Sequence, residues 1–137
     1  MAKILIAEDD TALRTAYQFV MQQAGYDVET APDGGMALKL LANQPDVILL
    51  DMMMPGMSGM DFLKEADIVE KHPETKVIVM TNYGAEDLQE RAACQGVYKY
   101  LIKANTTHAQ LLEEVKTALG ESPAEAADVV TPTTPAS

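Results

Sequence analysis

Cysteine is nearly absent: a single thiol, Cys94, in 137 residues cannot close an internal disulfide. That excludes a disulfide-stapled secreted scaffold and fits a reducing cytoplasm, the expected location. Cys94 follows Gln89-Glu90-Arg91-Ala92-Ala93 in a helix-like stretch and reads as a small packing residue. Long apolar runs are also missing, so no segment is expected to insert in a membrane. The apolar start, Ile4-Leu5-Ile6-Ala7, is too brief for a secretory signal, because Glu8, Asp9 and Asp10 follow at once. Bases are scarce, 10 against 21 acids, and the net charge of −11 repels phosphate backbones. Direct binding to nucleic acid is thereby disfavoured, and cations and basic protein surfaces are the expected partners. No glycine-rich phosphate loop follows the first apolar run and no Walker motif occurs, which argues against a flavin- or nucleotide-binding protein.

What is present is apolar content enough for one core, 47% of the chain, distributed in two alternating patterns. Short runs at Lys3–Ala7, Tyr26–Thr30, Asp46–Asp51, Lys76–Thr81 and Val97–Ile102 predict five strands. Between them lie helical patterns. Leu13, Ala16, Tyr17, Val20, Met21 and Ala24 recur at three- and four-residue spacing before Gly25, and a second helix is expected from about Gly35 to Ala42. Ser58-Gly59-Met60-Asp61 resembles a capping box for a third helix carrying Phe62, Leu63, Ala66 and Val69 inward. A fourth is expected after Asn82-Tyr83-Gly84, to about Gln95. A fifth opens on the capping box Thr107-His108-Ala109-Gln110, with Leu111, Leu112, Val115, Ala118 and Leu119 as its stripe. Such regular alternation implies an α/β fold, a doubly wound parallel sheet with helices on both faces. Residues 1–120 form the expected domain. Residues 121–137, rich in Pro, Thr and Ala, read as a disordered tail or linker.

Parallel strands place their C-terminal ends along one edge, so Glu8, Asp9, Asp51, Thr81 and Lys103 are expected to converge despite their separation in sequence. Three carboxylates in one cleft repel one another unless a cation is bound. Hard oxygen ligands favour Mg²⁺, with Mn²⁺ or Ca²⁺ as alternatives. Asp51 can then act as a carboxylate nucleophile toward a phosphoryl group. Lys103 would neutralise charge on the transferring oxygens and Thr81 would donate a hydrogen bond to one of them. Met52, Met53 and Met54 read as packing and loop residues, and His72 and His108 as surface or capping-region residues.

With Ile4-Leu5-Ile6-Ala7-Glu8-Asp9-Asp10, Asp51-Met52-Met53-Met54-Pro55-Gly56-Met57-Ser58-Gly59, Val79-Met80-Thr81 and Tyr100-Leu101-Ile102-Lys103 in this order, the chain resembles a response-regulator receiver domain. This is the phosphoacceptor module of two-component signalling, here near the single-domain chemotaxis type. The resemblance implies a flavodoxin-like sheet of order 2-1-3-4-5 with five helices. It also implies that Asp51 accepts the phosphoryl group, Asp9 ligates Mg²⁺, Glu8 acts through metal-bound water, and the Met53 carbonyl supplies a further ligand. Lys103 and Thr81 would contact the phosphoryl group, and Tyr100 would follow the movement of Thr81. The implied partners are a histidine kinase or phosphotransfer protein, and an effector met through the face of the fourth helix, fifth strand and fifth helix. A monomer or a phosphorylation-dependent dimer is implied, acting as a switch more than as a turnover enzyme. Two departures stand out. Ala104 replaces the proline usual after the lysine, which predicts a trans bond, and Asn82 is larger than the small residue usual after Thr81, while Tyr83 and Met53 are bulky and not acidic at positions that tune phosphate lifetime in the family.

Overall fold

Successive residues of a strand turn to opposite faces, so a strand apolar at every position must be covered on both. β3 (Val47–Asp51) is of this kind: all five residues are buried. The computed structural model describes residues 2–54, 56–81 and 96–120. In it, β3 lies at the centre of a five-stranded sheet with β1 (Lys3–Ala7), β2 (Asp27–Ala31), β4 (Lys76–Thr81) and β5 (Val97–Ile102). The order is β2-β1-β3-β4-β5 and every pairing is parallel, as the alternation of elements implied.

Each face has its own core. Leu5, Ile48, Leu50, Val77 and Val79 pack with Phe62, Leu63, Ala37 and Leu41 beneath α2 (Gly34–Leu40) and α3 (Gly59–Ala66). Ile4, Ile6, Val47, Leu49, Ile78 and Met80 pack with Tyr17, Met21, Leu111 and Val115 beneath α1 (Thr11–Gln23) and the C-terminal helix (His108–Ala118). Each fully buried aliphatic side chain contributes about 2 kcal/mol. A one-residue slip of β3 would exchange its two faces, so this packing fixes the register that delivers Asp51 to the sheet edge.

Side chains start the helices. Asp10 accepts from the Leu13 N–H at 3.0 Å, Asp33 from Met36 at 2.8 Å and Ser58 from Asp61 at 3.2 Å. The full capping box forms at Thr107, whose hydroxyl accepts from Gln110 N–H at 3.1 Å while the Gln110 side chain accepts from Thr107 N–H at 2.8 Å.

Several boundaries differ from the sequence reading, and β3 starts at Val47, one residue after the expected Asp46. β2 starts one residue late, because Gly25 turns the chain at φ +95° and the Tyr26 N–H still bonds to Met21 O. The second helix ends at Leu40 and tightens into a 3-10 turn, Leu41–Asn43. The third helix breaks at Asp67, which takes φ 48°, ψ 57°, and a single further turn, Ile68–Lys71, restarts out of phase. Ile68 is therefore buried at 3% exposure and Val69, expected inward, is 57% exposed. The fourth helix, Asn82, Tyr83, Cys94 and the tail lie outside the described residues.

α3 approaches the end of β3 closely. A Cβ on Gly59 would lie 2.6 Å from Met52 Sδ, 2.7 Å from Met52 Cα and 2.9 Å from the Asp51 carbonyl oxygen. Two of these are backbone atoms, which cannot step aside. Overpacking costs about 1–3 kcal/mol, more than the ~1 kcal/mol of helix propensity that alanine adds. Gly59→Ala is expected to lower the urea midpoint of unfolding, and an unchanged or higher midpoint would contradict the packing described.

Candidate functional site

Between β1 and β3 the strand order reverses. The chain leaves β1 toward one face through α1 and leaves β3 toward the other through α3, so a crevice opens at the C-terminal ends of these two strands. Glu8 and Asp9 follow β1 directly, and Asp51 closes β3. Their carboxylate oxygens lie within 4.8 Å of one another. Glu8 is fully buried and Asp51 is only 3% exposed, whereas Asp9 faces solvent. An open cavity of about 730 Å³, lined by Asp9, Pro32, Asp33, Gly35, Gly56 and Met57, lies on the Asp9 side.

Lys103, arriving from the end of β5, places an ammonium in this crevice. Its Nζ lies 2.7 Å from Glu8 Oε1 and 3.3 Å from Asp51 Oδ2. The other oxygen of each acid is held by the backbone: Asp10 N–H donates to Glu8 Oε2 at 3.1 Å, and Met53 N–H to Asp51 Oδ1 at 3.0 Å. Burial pushes the Glu8 carboxyl up from its ordinary 4.5 to about 7; the Lys103 hydrogen bond opposes this and Asp51 adds to it. For Lys103, burial favours the neutral amine, yet the Glu8 hydrogen bond and the Asp51 charge outweigh it and raise its pKa.

Thr81 ends β4 and is buried. A side-chain hydrogen bond joins it to Tyr100, two residues before its register partner Ile102. The peptide bond after Lys103 is trans, as Ala104 predicts; there is no cis bond among the described residues.

An acidic triad at the switch point of a 2-1-3-4-5 sheet, bridged by a lysine from the last strand, agrees with what comparison finds. The family model of the response regulator receiver domain matches residues 4–116. The chain belongs to this family. Among solved structures, a receiver domain protein from Methanospirillum hungatei superposes with a TM-score of 0.81 at 29% identity, covering 91% of this chain and 98% of that one. The chemotaxis protein CheY4 of Vibrio cholerae gives 0.79 at 29%, covering 86% and 98%. Among curated relatives, the oxygen regulatory protein NreC of Staphylococcus haemolyticus is 36% identical over 119 residues, 84% of this chain and 54% of that one. Sporulation initiation phosphotransferase F of Bacillus subtilis is 33% identical over 102 residues, covering 74% and 81%. The chain thus spans about half the length of NreC and most of the sporulation protein.

In this receiver domain four of the residues expected from the sequence come together at the ends of β1, β3 and β5. Glu8, Asp9, Asp51 and Lys103 share the crevice, and Thr81, bonded to Tyr100, ends the adjacent strand β4. Receiver domains bind Mg²⁺ through an acidic cluster of this composition. Met53 is 58% exposed while Met52 and Met54 are buried in the core, so the three methionines divide between loop and packing. His108 packs edge-on to Tyr17 with ring centroids 5.3 Å apart. Two features were not read from the sequence. Asp10, one of three consecutive acids, is a helix cap, and Lys103 sits closer to Glu8 than to Asp51. No helix among the described residues is long and apolar enough to cross a membrane.

Proposed function

We propose that Asp51 of this receiver domain accepts a phosphoryl group from the phosphohistidine of a histidine kinase or phosphotransfer protein, and that the adduct switches a protein-interaction surface. The observation that carries this reading is a buried carboxylate at the switch point with an ammonium 3.3 Å away and two further acids beside it. In the transfer, an Asp51 oxygen forms a bond to phosphorus while the P–N bond of the phosphohistidine breaks. The imidazole nitrogen keeps the electron pair and takes a proton from solvent. Hydrolysis later replaces the Asp51–phosphorus bond with one to water oxygen, releasing inorganic phosphate.

The donor set fits Mg²⁺, or Mn²⁺ in its place: three carboxylates converge, all ligands are hard oxygens, and Lys103 alone leaves the cluster net negative. Asp9, Asp51 and the Met53 carbonyl would hold the ion, with Glu8 acting through a water. When bound, the ion neutralises the acids and draws charge from the phosphoryl oxygens. Lys103 would turn its ammonium from the acids to one phosphoryl oxygen, and the Thr81 hydroxyl would donate to another. Because Thr81 is already bonded to Tyr100, its movement draws the tyrosine with it and alters the surface around β5. On this reading the module spans residues 1–120, residues 121–137 serve as a tail or linker, and the protein works in the cytoplasm as a monomer or a phosphorylation-dependent dimer.

The test is chemical. The full chain, incubated with Mg²⁺ and phosphoramidate, is expected to gain one phosphoryl mass that is stable to acid and lost in base. Chelation of the metal should return loading to background. Failure of the wild-type chain to load with Mg²⁺ present would defeat the reading.

A further inference from the structure

Asp9 is the least supported member of the acidic cluster. It is exposed, it lies between β1 and α1, and among the described residues its carboxylate takes no hydrogen bond. Glu8 is held by Lys103 and by Asp10 N–H, and Asp51 by Lys103 and by Met53 N–H. The direction of the Asp9 carboxylate must be set through its backbone instead.

Arg14, on the first turn of α1, supplies that control. Its Nη1 donates to the Glu8 carbonyl at 2.9 Å and to the Asp9 carbonyl at 3.3 Å. These carbonyls belong to the two peptide planes on either side of the Asp9 Cα. Each plane is rigid, so the only soft rotations between them are φ and ψ of Asp9. One guanidinium nitrogen bonded to both planes ties them to each other and to the helix. The same helix is anchored on this loop from the other side, where Asp10 O accepts from Arg14 N–H at 2.9 Å and Asp10 caps Leu13. With φ and ψ constrained, the Cα–Cβ bond of Asp9 is fixed in the arrangement that leaves its carboxylate within 4.8 Å of those of Glu8 and Asp51.

We propose that Arg14 is a positioning residue for the divalent cation site: it never touches the ion, and it pre-orients Asp9 by clamping the peptides that flank it. The inference rests on the reading of Glu8, Asp9 and Asp51 as the cation site and adds to it a residue of α1 outside the cluster. Groups that orient metal ligands from outside the ligand shell are worth about ten- to a hundredfold in metal affinity. Asp9 also faces water, which leaves it freer to compensate, so the lower end is expected.

The experiment is calorimetric titration of Mg²⁺ into the full chain, wild type beside Arg14→Ala, Arg14→Gln and Arg14→Lys, with thermal unfolding in chelator for each. Arg14→Ala is expected to weaken Mg²⁺ binding about tenfold. The Mg²⁺ concentration for half-maximal loading from phosphoramidate should rise in the same proportion. Arg14→Lys keeps a charged donor on a stem one bond shorter and should bind Mg²⁺ more tightly than Arg14→Ala. Arg14→Gln, shorter and uncharged, is expected to lose at least about threefold and gives the result if the alanine variant does not fold. Wild-type affinity in Arg14→Ala, or a lysine variant as weak as alanine, overturns the inference while leaving the acid cluster intact. A purely structural role would lower the unfolding temperature in chelator without lysine restoring the Mg²⁺ affinity. Absence of Mg²⁺ binding to the wild-type chain defeats the reading of the cluster itself and this inference with it.

Discussion

Asp51→Asn is expected to leave the protein folded and unable to take up a phosphoryl group. The amide keeps the shape of the carboxylate and an oxygen that can accept the Met53 N–H, now 3.0 Å from Asp51 Oδ1. It has lost the negative charge that makes the oxygen a nucleophile, so loading from phosphoramidate should fall by at least ~10³-fold, the scale seen when a nucleophile is removed. Unfolding is not the cause to expect. Glu8 still offers Lys103 a carboxylate at 2.7 Å, and removing one of two adjacent buried acids relieves a repulsion that raises the pKa of Glu8. Stability of the metal-free variant near pH 8 should therefore equal or exceed that of wild type. Intact mass after loading and a urea titration of the same preparation separate the two effects. Normal loading of a folded Asp51→Asn would remove Asp51 from its role.

The second large effect is on stability and follows from Glu8, whose carboxyl is raised mainly by burial from 4.5 to about 7. A carboxyl with a higher pKa in the folded protein than in the unfolded chain is protonated more readily when folded. Its contribution to stability is fully present below the unfolded value and is lost as pH rises through the folded one. The metal-free protein should thus lose about 2–3 kcal/mol between pH 5 and pH 8, since each tenfold difference in proton affinity between folded and unfolded chain is worth about 1.4 kcal/mol. Lys103, with its pKa raised, stays charged across this window and adds no slope. Glu8→Gln should flatten the dependence and, in chelator at pH 8, be more stable than wild type by up to the same amount. Mg²⁺ should bind the wild type more tightly as pH rises through 7, since proton and cation compete for one cluster. Unfolding free energies in EDTA at several pH values test this; a metal-free wild type more stable at pH 8 than at pH 5 would refute it.

Strands and caps were legible wherever local chemistry and burial agree. The runs at Lys3–Ala7, Lys76–Thr81 and Val97–Ile102 have the same ends in the sequence reading and in the structure, and the capping box at Thr107 forms as written. The differences arise where one residue overrides a pattern. Helical spacing places Val69 inward on the assumption of an unbroken 3.6-residue period, and Asp67 breaks the period with a left-handed residue that no spacing rule announces. Tyr26 joins the helix exit rather than the strand because Gly25 and the Met21 carbonyl compete for it. Asp10 stands third in a run of acids, and side-chain type alone cannot distinguish a cap from a ligand.

By itself the sequence determined that Asp51 ends a strand buried on both faces, that two acids follow one other parallel strand and a lysine follows another, and that these ends share one edge. Pattern suffices there, because parallel strands all present the same end. Only the tertiary structure decided how the charges are shared: Lys103 is held by Glu8 more tightly than by Asp51, Thr81 is bonded to Tyr100, and Arg14 reaches the two peptides around Asp9. Such contacts depend on differences of less than an ångström between side chains from separate elements, and residue order carries no distance of that kind.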